Sequence, residues 1–401
     1  MEIVIGILGI ICMLVGAWLF SPYKRDVYPQ MIVVGLLLQV TLAVLFLKTA
    51  VGVAVFDGAT NAANLIIGFS DAGARFLFGD NFKDHFFAFK VLPTIIFVGA
   101  LSQMLFYWGI MQRIIKVMGV VMQKTMRISG AEAMVAAANV FLGQTEAPLF
   151  IKPYLKKMTR SEINVLMVSG MATVAGGVLA AYVGMGISAG HLLAASFMSA
   201  PATIVVAKLM LPERQKSETH GETKIAMTTD DINIFEAAVN GASQGLMLAL
   251  NVAAMLIAFV ALMAFMNYCV GAFFSLFGLD LSFEKILGWL FQPVAFIIGV
   301  PWADCFTVGQ LLGKKIVLNE FIAYQDLSQL VAQNQISAKA ATISTYALCG
   351  FANFSSIAIQ IGGIGNITPE RRKDFAVLGL KAMIGGNIAS FITACIAGIF
   401  V

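Results

Sequence analysis

Residues 131–151 read AEAMVAAANVFLGQTEAPLFI, and the course of the backbone through them decides the fold. The segment is apolar enough to enter a membrane, yet lysine and arginine stand on both sides of it, at Arg113 to Arg127 and at Lys152 to Arg160. Positive residues collect on the cytoplasmic side of membrane proteins, so both flanks belong to one face. A single crossing would separate them. A re-entrant hairpin that enters and leaves on the same side satisfies both, and Gly143 and Pro148 divide the segment into pieces too short to span a hydrocarbon core of about 30 Å separately. At the division sits GQTEAPLF, 143–150, where Glu146 stands with Gln144 and Thr145 between apolar runs. A charge within a span costs roughly 2.5–3.5 kcal/mol or more, which favours a functional carboxylate over one that only caps its own helix.

The rest of the chain agrees with a membrane setting. Of 401 residues, 59% are hydrophobic and 12% charged, against roughly 25% charged in soluble domains. Eight apolar runs are long enough to cross a bilayer: Ile3–Phe20, Met31–Leu47, Val91–Met111, Ile163–Val183, His191–Leu211, Leu246–Val270, Ala340–Ile361 and Phe375–Val401. The first is expected to be a retained anchor, because Glu2 precedes it and Lys24 and Arg25 follow it, the reverse of a signal peptide. Further positive clusters, at Lys208 to Lys224 and Arg371 to Lys373, mark cytoplasmic loops rather than a nucleic-acid surface. Cys12, Cys269, Cys305, Cys349 and Cys395 lie in or beside apolar segments without paired spacing and read as small core residues.

A second segment, Phe283–Leu327, has the character of the first. Two apolar pieces, Ile286–Val300 and Val308–Tyr324, are separated by GVPWADC, where Gly299 and Pro301 break the helix and Asp304 reads as a turn residue. This hairpin is expected to enter from the opposite face. Each hairpin carries a glutamate, Glu146 or Glu320, followed about 30 residues later by a polar, Gly-rich interruption of a span: SGMATVAGG at 169–177 and CGFANFSSIAIQIGG at 349–363. Inverted repeats with interrupted helices at the midplane are a plan of secondary transporters, where freed backbone groups bind ion and substrate. Between these parts, Thr60–Lys90, with Asp71, Arg75, Asp80, Lys83 and His85, suggests interfacial helices, and 212–231 is a polar loop leading into an amphipathic 232–240. The expected organisation is a scaffold over 1–130, a first repeat of the transport domain over 131–211, a loop and scaffold span over 212–278, and a second repeat over 279–401.

Chemistry-bearing residues are few. The histidines are His85, His191 and His220, without HExxH, a GxSxG elbow or a phosphate loop, so enzymatic and ATP-driven readings lack their parts. Lys314 and Lys315 offer Glu320 a structural ion pair. Asn353, Ser355 and Ser356, and likewise Asn139 and Thr173, have a plain alternative as hydrogen-bonding glue between helices.

GQTEAPLF, LNEFIAY (318–324) and GFANFSSIAIQIGG (350–363), in that order, resemble the concentrative nucleoside transporters over nearly the whole chain, in the compact bacterial form. The resemblance implies a sodium-driven nucleoside symporter of the cytoplasmic membrane, assembled as a homotrimer, with uridine as an example of its cargo and no cofactor besides the coupling ion. It implies that Gln144, Thr145, Glu146 and Val178 meet the nucleobase, that Glu320, Asn353 and Ser356 bind ribose hydroxyls, and that Phe351 packs beside them. It implies that sodium is held by the side chain of Asn139, the carbonyl of Leu142, the side chain and carbonyl of Thr173 and the carbonyl of Val174, with Thr173 standing where serine is more usual. Oxygen-only, neutral ligation suits an alkali cation. A proton-coupled member, with Glu146 or Glu320 as carrier, and a membrane hydrolase built on Asp304 or Glu320 are the alternatives.

Overall fold

The computed structural model describes residues 2–84, 87–221 and 231–401; His85 and the 222–230 part of the polar loop lie outside them. The described residues are helical or irregular, without strand. α1 (Glu2–Leu19) and α2 (Pro29–Lys48) take up the first two apolar runs, α2 being long and apolar enough to cross a membrane and α1 a shorter apolar helix, and Thr49, extended and accepting from the Gly52 amide through its hydroxyl, turns the chain into α3 (Ala50–Phe78). α3 is one 29-residue helix, mostly uncovered by protein and, on length and composition, long and apolar enough to cross a membrane. The interfacial helices expected around Thr60–Lys90 are thus largely one continuous element, with Asp57 in its first third and Asp71 and Arg75 in its last.

α4 (Leu92–Tyr107) ends where Gly109 takes a φ of 73°, which redirects the chain into the amphipathic α5 (Ile110–Met126). The first hairpin follows as α6 (Gly130–Ala138), an irregular tip at 139–146, a 3-10 turn at Ala147–Ile151 and the short α7 (Lys152–Leu155). The fourth span is interrupted, as the sequence suggested: α8 (Arg160–Ala172) and α9 (Gly176–Gly184) flank an unwound Thr173–Ala175. α10 (Ala189–Met210) is the fifth span, buried along nearly its whole length and built largely of Ala, Ser and Gly, which let neighbouring backbones approach. α11 (Ile234–Ser275) runs for 42 residues and absorbs most of the amphipathic 232–240 segment.

The second half repeats this order: amphipathic α12 (Phe283–Ile297), half-helix α13 (Cys305–Val317), α14 (Glu320–Ala332), the interrupted seventh span α15 (Ala338–Leu348) and α16 (Phe354–Ile367), and the long α17 (Arg372–Phe400). One difference from the sequence reading is instructive. The GVPWADC turn exists, but it joins α12 to α13, and the apolar piece read as Val308–Tyr324 is itself cut at Leu318–Asn319. Asn319 caps α14 by accepting from the Ile322 amide at 3.0 Å. This second cut, one residue before Glu320, is the counterpart of the first tip, and α12 is the counterpart of α5.

Two contacts join parts of the chain that lie far apart in sequence. Gly241 and Gly245 of α11 meet α4 so closely that a Cβ on Gly241 would lie 2.4 Å from the Gly99 carbonyl oxygen, and one on Gly245 2.8 Å from Ile96 Cα. Where the starts of α6 and α8 meet the end of α10, two capping boxes are clasped together. Ser129 with Glu132 opens α6, Thr159 with Glu162 opens α8, and Ser129 Oγ donates across to Glu162 Oε1 at 2.6 Å. Lys208, buried at the end of α10, pairs with Glu132 and, at 3.3 Å, with Glu213, while Ser217 from the following loop donates to Glu162 at 2.6 Å.

Candidate functional site

The two interrupted spans touch where they are unwound. Gly350, with φ 132°, lies in the second break, and a Cβ there would fall 2.7 Å from the Met171 carbonyl oxygen and 2.8 Å from Ala172 C at the end of α8. Only glycine permits both the backbone angle and the approach.

Around this crossing the polar side chains join. Asn353 is the N-cap of α16: its Oδ1 accepts from the Ser356 amide (2.9 Å) and the Ser355 hydroxyl (2.7 Å). Its Nδ2 donates to Glu320 Oε2 at 3.0 Å, and Tyr182 of α9 donates its hydroxyl to Glu320 Oε1 at 3.0 Å. From the first tip, Gln144 Nε2 donates to Ser356 Oγ at 3.1 Å. Gln144, Ser356, Asn353, Glu320 and Tyr182 therefore form one hydrogen-bonded chain through both tips and both interrupted spans. Glu320 is 4% exposed. Lys314, offered by the sequence as its structural partner, turns instead to Asp326 (2.6 Å) and Glu284 (3.2 Å), and Lys315 donates to the Ala347 carbonyl.

The other residues expected to face a nucleobase are placed around the first tip and α9. The methyl of Thr145 fills the space left by Gly363, where a Cβ would come within 2.5 Å of it. Glu146 is half-buried and folds back to accept the Gly143 amide at 3.2 Å, the self-capping bond of a tip carboxylate. Val178 is buried in the first turn of α9, and Phe351 is half-buried in the second break.

Sequence reasoning missed Tyr182 and Gln360. Gln360 is fully buried on α16, donates to the Met167 carbonyl at 3.0 Å and, with Gln144, flanks Gly170. The carbonyl oxygens of both amides are buried without a partner. Such orphaned acceptors are costly unless a donor arrives, and a nucleobase edge carries N–H donors. The signals were a phenol inside an apolar run, which needs a partner when buried, and a lone amide in SSIAIQIGG.

The residues expected to hold an ion also converge. Asn139, fully buried at the start of the first tip, donates through Nδ2 to Ser169 Oγ at 2.9 Å, and its Oδ1 has no partner. Thr173 closes α8 and donates its hydroxyl to the Ser169 carbonyl at 2.8 Å, leaving its oxygen lone pairs free to accept. Leu142 lies in the tip and Val174 in the break, both buried, and the tip is tied to α9 by the Gly176 amide donating to the Phe141 carbonyl at 3.0 Å. An orphaned amide oxygen beside the freed carbonyls of a broken helix is the donor set a hard monovalent cation takes. A cavity of ≈ 580 Å³ lies elsewhere, lined among others by Arg127, Glu132, Lys208 and Glu213. The polar chain itself is packed shut, its donors and acceptors largely engaged with one another.

Residues 8–81 match the family model described as Na+ dependent nucleoside transporter N-terminus, residues 88–189 the one described as nucleoside recognition, and residues 191–398 the one described as Na+ dependent nucleoside transporter C-terminus. The chain is 45% identical over 406 residues to solute carrier family 28 member 3 of Mus musculus, an alignment that takes in 98% of this chain and 58% of that relative's length. It is 44% identical over 406 residues to the uncharacterized transporter YutK of Bacillus subtilis, with 100% of each covered. The solved structure of CNTnw in an inward-facing substrate-bound state matches with a TM-score of 0.94 at 40% identity, over 100% of this chain and 98% of that one.

Proposed function

The chain belongs to the Na+ dependent nucleoside transporter family, and we propose that it is a symporter of the cytoplasmic membrane that carries a nucleoside inward together with sodium, as a homotrimer. The family consists of membrane transporters and not enzymes. The observation that carries the proposal is the hydrogen-bonded chain from Gln144 to Tyr182, because a neutral solute with a donor-bearing base edge and vicinal hydroxyls needs acceptors drawn from both halves of the fold.

In this reading, ribose hydroxyls address Glu320, Asn353 and Ser356, and Phe351 packs against the sugar. A carboxylate has about four lone-pair sites, and two are taken by Tyr182 and Asn353, so Glu320 retains capacity for substrate O–H groups. Each such bond to a charged acceptor contributes roughly 1.5–3 kcal/mol. The base addresses Gln144, Thr145 and Glu146, with Val178 against its face. Sodium, as cargo, is taken by the Asn139 and Thr173 side chains and the carbonyls of Leu142, Thr173 and Val174. The two repeats, 131–211 and 279–401, form the transport domain, and the remaining spans the scaffold. Sodium is favoured over a proton by the orphaned Asn139 Oδ1, which accepts a cation and has no proton to release.

The test is uptake of labelled uridine by proteoliposomes under a sodium gradient. Uptake is expected to require sodium, and Asn139→Ala is expected to raise the half-saturating sodium concentration about tenfold or more, the loss of one ligand being of the size of a hydrogen bond to a charge. Uptake driven by a pH gradient without sodium would replace the ion reading with proton coupling. Absence of uridine uptake and of competition by other nucleosides would overturn the substrate.

A further inference from the structure

The two interrupted spans treat their freed carbonyls differently. In the first, the Ser169 and Met167 carbonyls accept from the neutral Thr173 hydroxyl and Gln360 amide, and a side-chain amide oxygen, Asn139 Oδ1, is left without a partner beside the end of α8. In the second, protein donors fill the positions. The Thr345 carbonyl accepts from the Tyr324 hydroxyl (2.7 Å), Ala347 from Lys315 Nζ (2.8 Å), Cys349 from the Ser390 hydroxyl (2.8 Å) and Ala352 from Asn387 Nδ2 (2.9 Å). Three of these donors are neutral; the fourth is an ammonium.

Lys315 is unusual on three counts. It is fully buried, it sits in the last turn of α13, the half-helix that corresponds to α6, and its hydrogen bond goes to a backbone carbonyl, while its neighbour Lys314 finds two carboxylates. Its Nζ also lies 5.7 Å from the ring centroid of Phe391 on α17. An ammonium among a helix-terminal carbonyl and an aromatic face is coordinated much as a desolvated alkali cation is, and the C-terminal end of a helix carries about half a negative elementary charge to receive it.

We propose that Lys315 is a tethered cation: at the second interrupted span its ammonium does what a bound ion does at the first, neutralising the end of α15 and binding half-helix α13 to it. The second repeat then needs no ion of its own, and the residue acts by positioning α13, α15 and, five residues on, Glu320. The assignment goes beyond the sodium reading of the first span and is tested separately from it.

The experiment follows the melting temperature of the purified full chain without nucleoside, as choline chloride is exchanged for sodium or potassium chloride at constant ionic strength. The wild type is expected to show one saturable stabilisation by sodium, lost in Asn139→Ala. Lys315→Ala removes the tether and is expected to gain a second saturable stabilisation of a few degrees by alkali cation, which persists in the Asn139→Ala/Lys315→Ala double variant. Lys315→Gln keeps a donor without the charge and is expected to behave like Lys315→Ala. A double variant that responds to cations no more than Asn139→Ala overturns the proposal. So does Lys315→Gln with the wild-type response, since a neutral hydrogen bond would then suffice, and so does aggregation of both variants in high sodium and high potassium alike. A wild type indifferent to sodium, with Lys315 variants that respond, would overturn the sodium reading and leave this assignment standing.

Discussion

Tyr182 shows how much of the site rests on single donors. Its hydroxyl and the Asn353 side-chain amide both donate to the Glu320 carboxylate, and it reaches there from α9, 138 residues away along the chain. Tyr182→Phe removes that donor with little change of shape. Uridine affinity, measured by equilibrium binding in saturating sodium, is expected to fall about tenfold, at the lower end of what a hydrogen bond to a charge contributes. An unchanged affinity would mean that Asn353 alone orients the carboxylate. Glu146 and Glu320 stood out in the sequence because carboxylates are conspicuous in apolar runs, whereas Asn353 and Ser356 were separated from ordinary hydrogen-bonding glue by the motif that carries the resemblance. Tyr182 was not, since a tyrosine in an apolar run counts as apolar until its hydroxyl is located. Glu132 and Lys208 were passed over for another reason: at the ends of spans they resemble the charge that merely marks topology.

At the scale of elements, the clasp at the starts of α6 and α8 decides where the first hairpin stands. Both boxes are written plainly, SGAE at 129–132 and TRSE at 159–162, each a Ser or Thr followed three residues later by Glu. What no local pattern carries is their joining, by the Ser129 hydroxyl on Glu162, and the pairing of Glu132 with Lys208 far along the chain. Lys208→Met leaves buried carboxylates without their cation, and the loss of one partner of a buried pair costs about 3–5 kcal/mol. Purified Lys208→Met is expected to melt well below the wild type, and adding Glu132→Gln, which keeps an acceptor for the Ser129 amide, is expected to recover part of the loss. A melting temperature unaltered by Lys208→Met would show that the clasp is held by its caps alone. The cut at Leu318–Asn319 was hidden similarly: it contains neither glycine nor proline, and only the capping role of Asn319 reveals it.

At the scale of the molecule, alternating apolar and interrupted segments gave the all-helical membrane plan, while the contact between the interruptions required coordinates, because Gly350 and Met171 lie far apart in sequence. α4 and α11 have their own long-range joint in the contact of Gly99 with Gly241 and Gly245. α11 has a further consequence. Its 42 residues, at about 1.5 Å each, extend about 63 Å, roughly twice the thickness of a hydrocarbon core. Exposed Leu246, Ile257, Phe265 and Phe273 spread apolar surface along most of it. Such a rod must lean in thin bilayers and straighten in thick ones, and α4 is locked to it by the glycine joint. The host lipid is thereby expected to act on the transporter mechanically. In vesicles of graded acyl-chain length, maximal uptake is expected to pass through an optimum, while nucleoside affinity in detergent stays constant. Replacing Gly245 with leucine, which separates the two rods, is expected to flatten that dependence, and a flat dependence in the wild type would refute the coupling of lipid thickness to turnover.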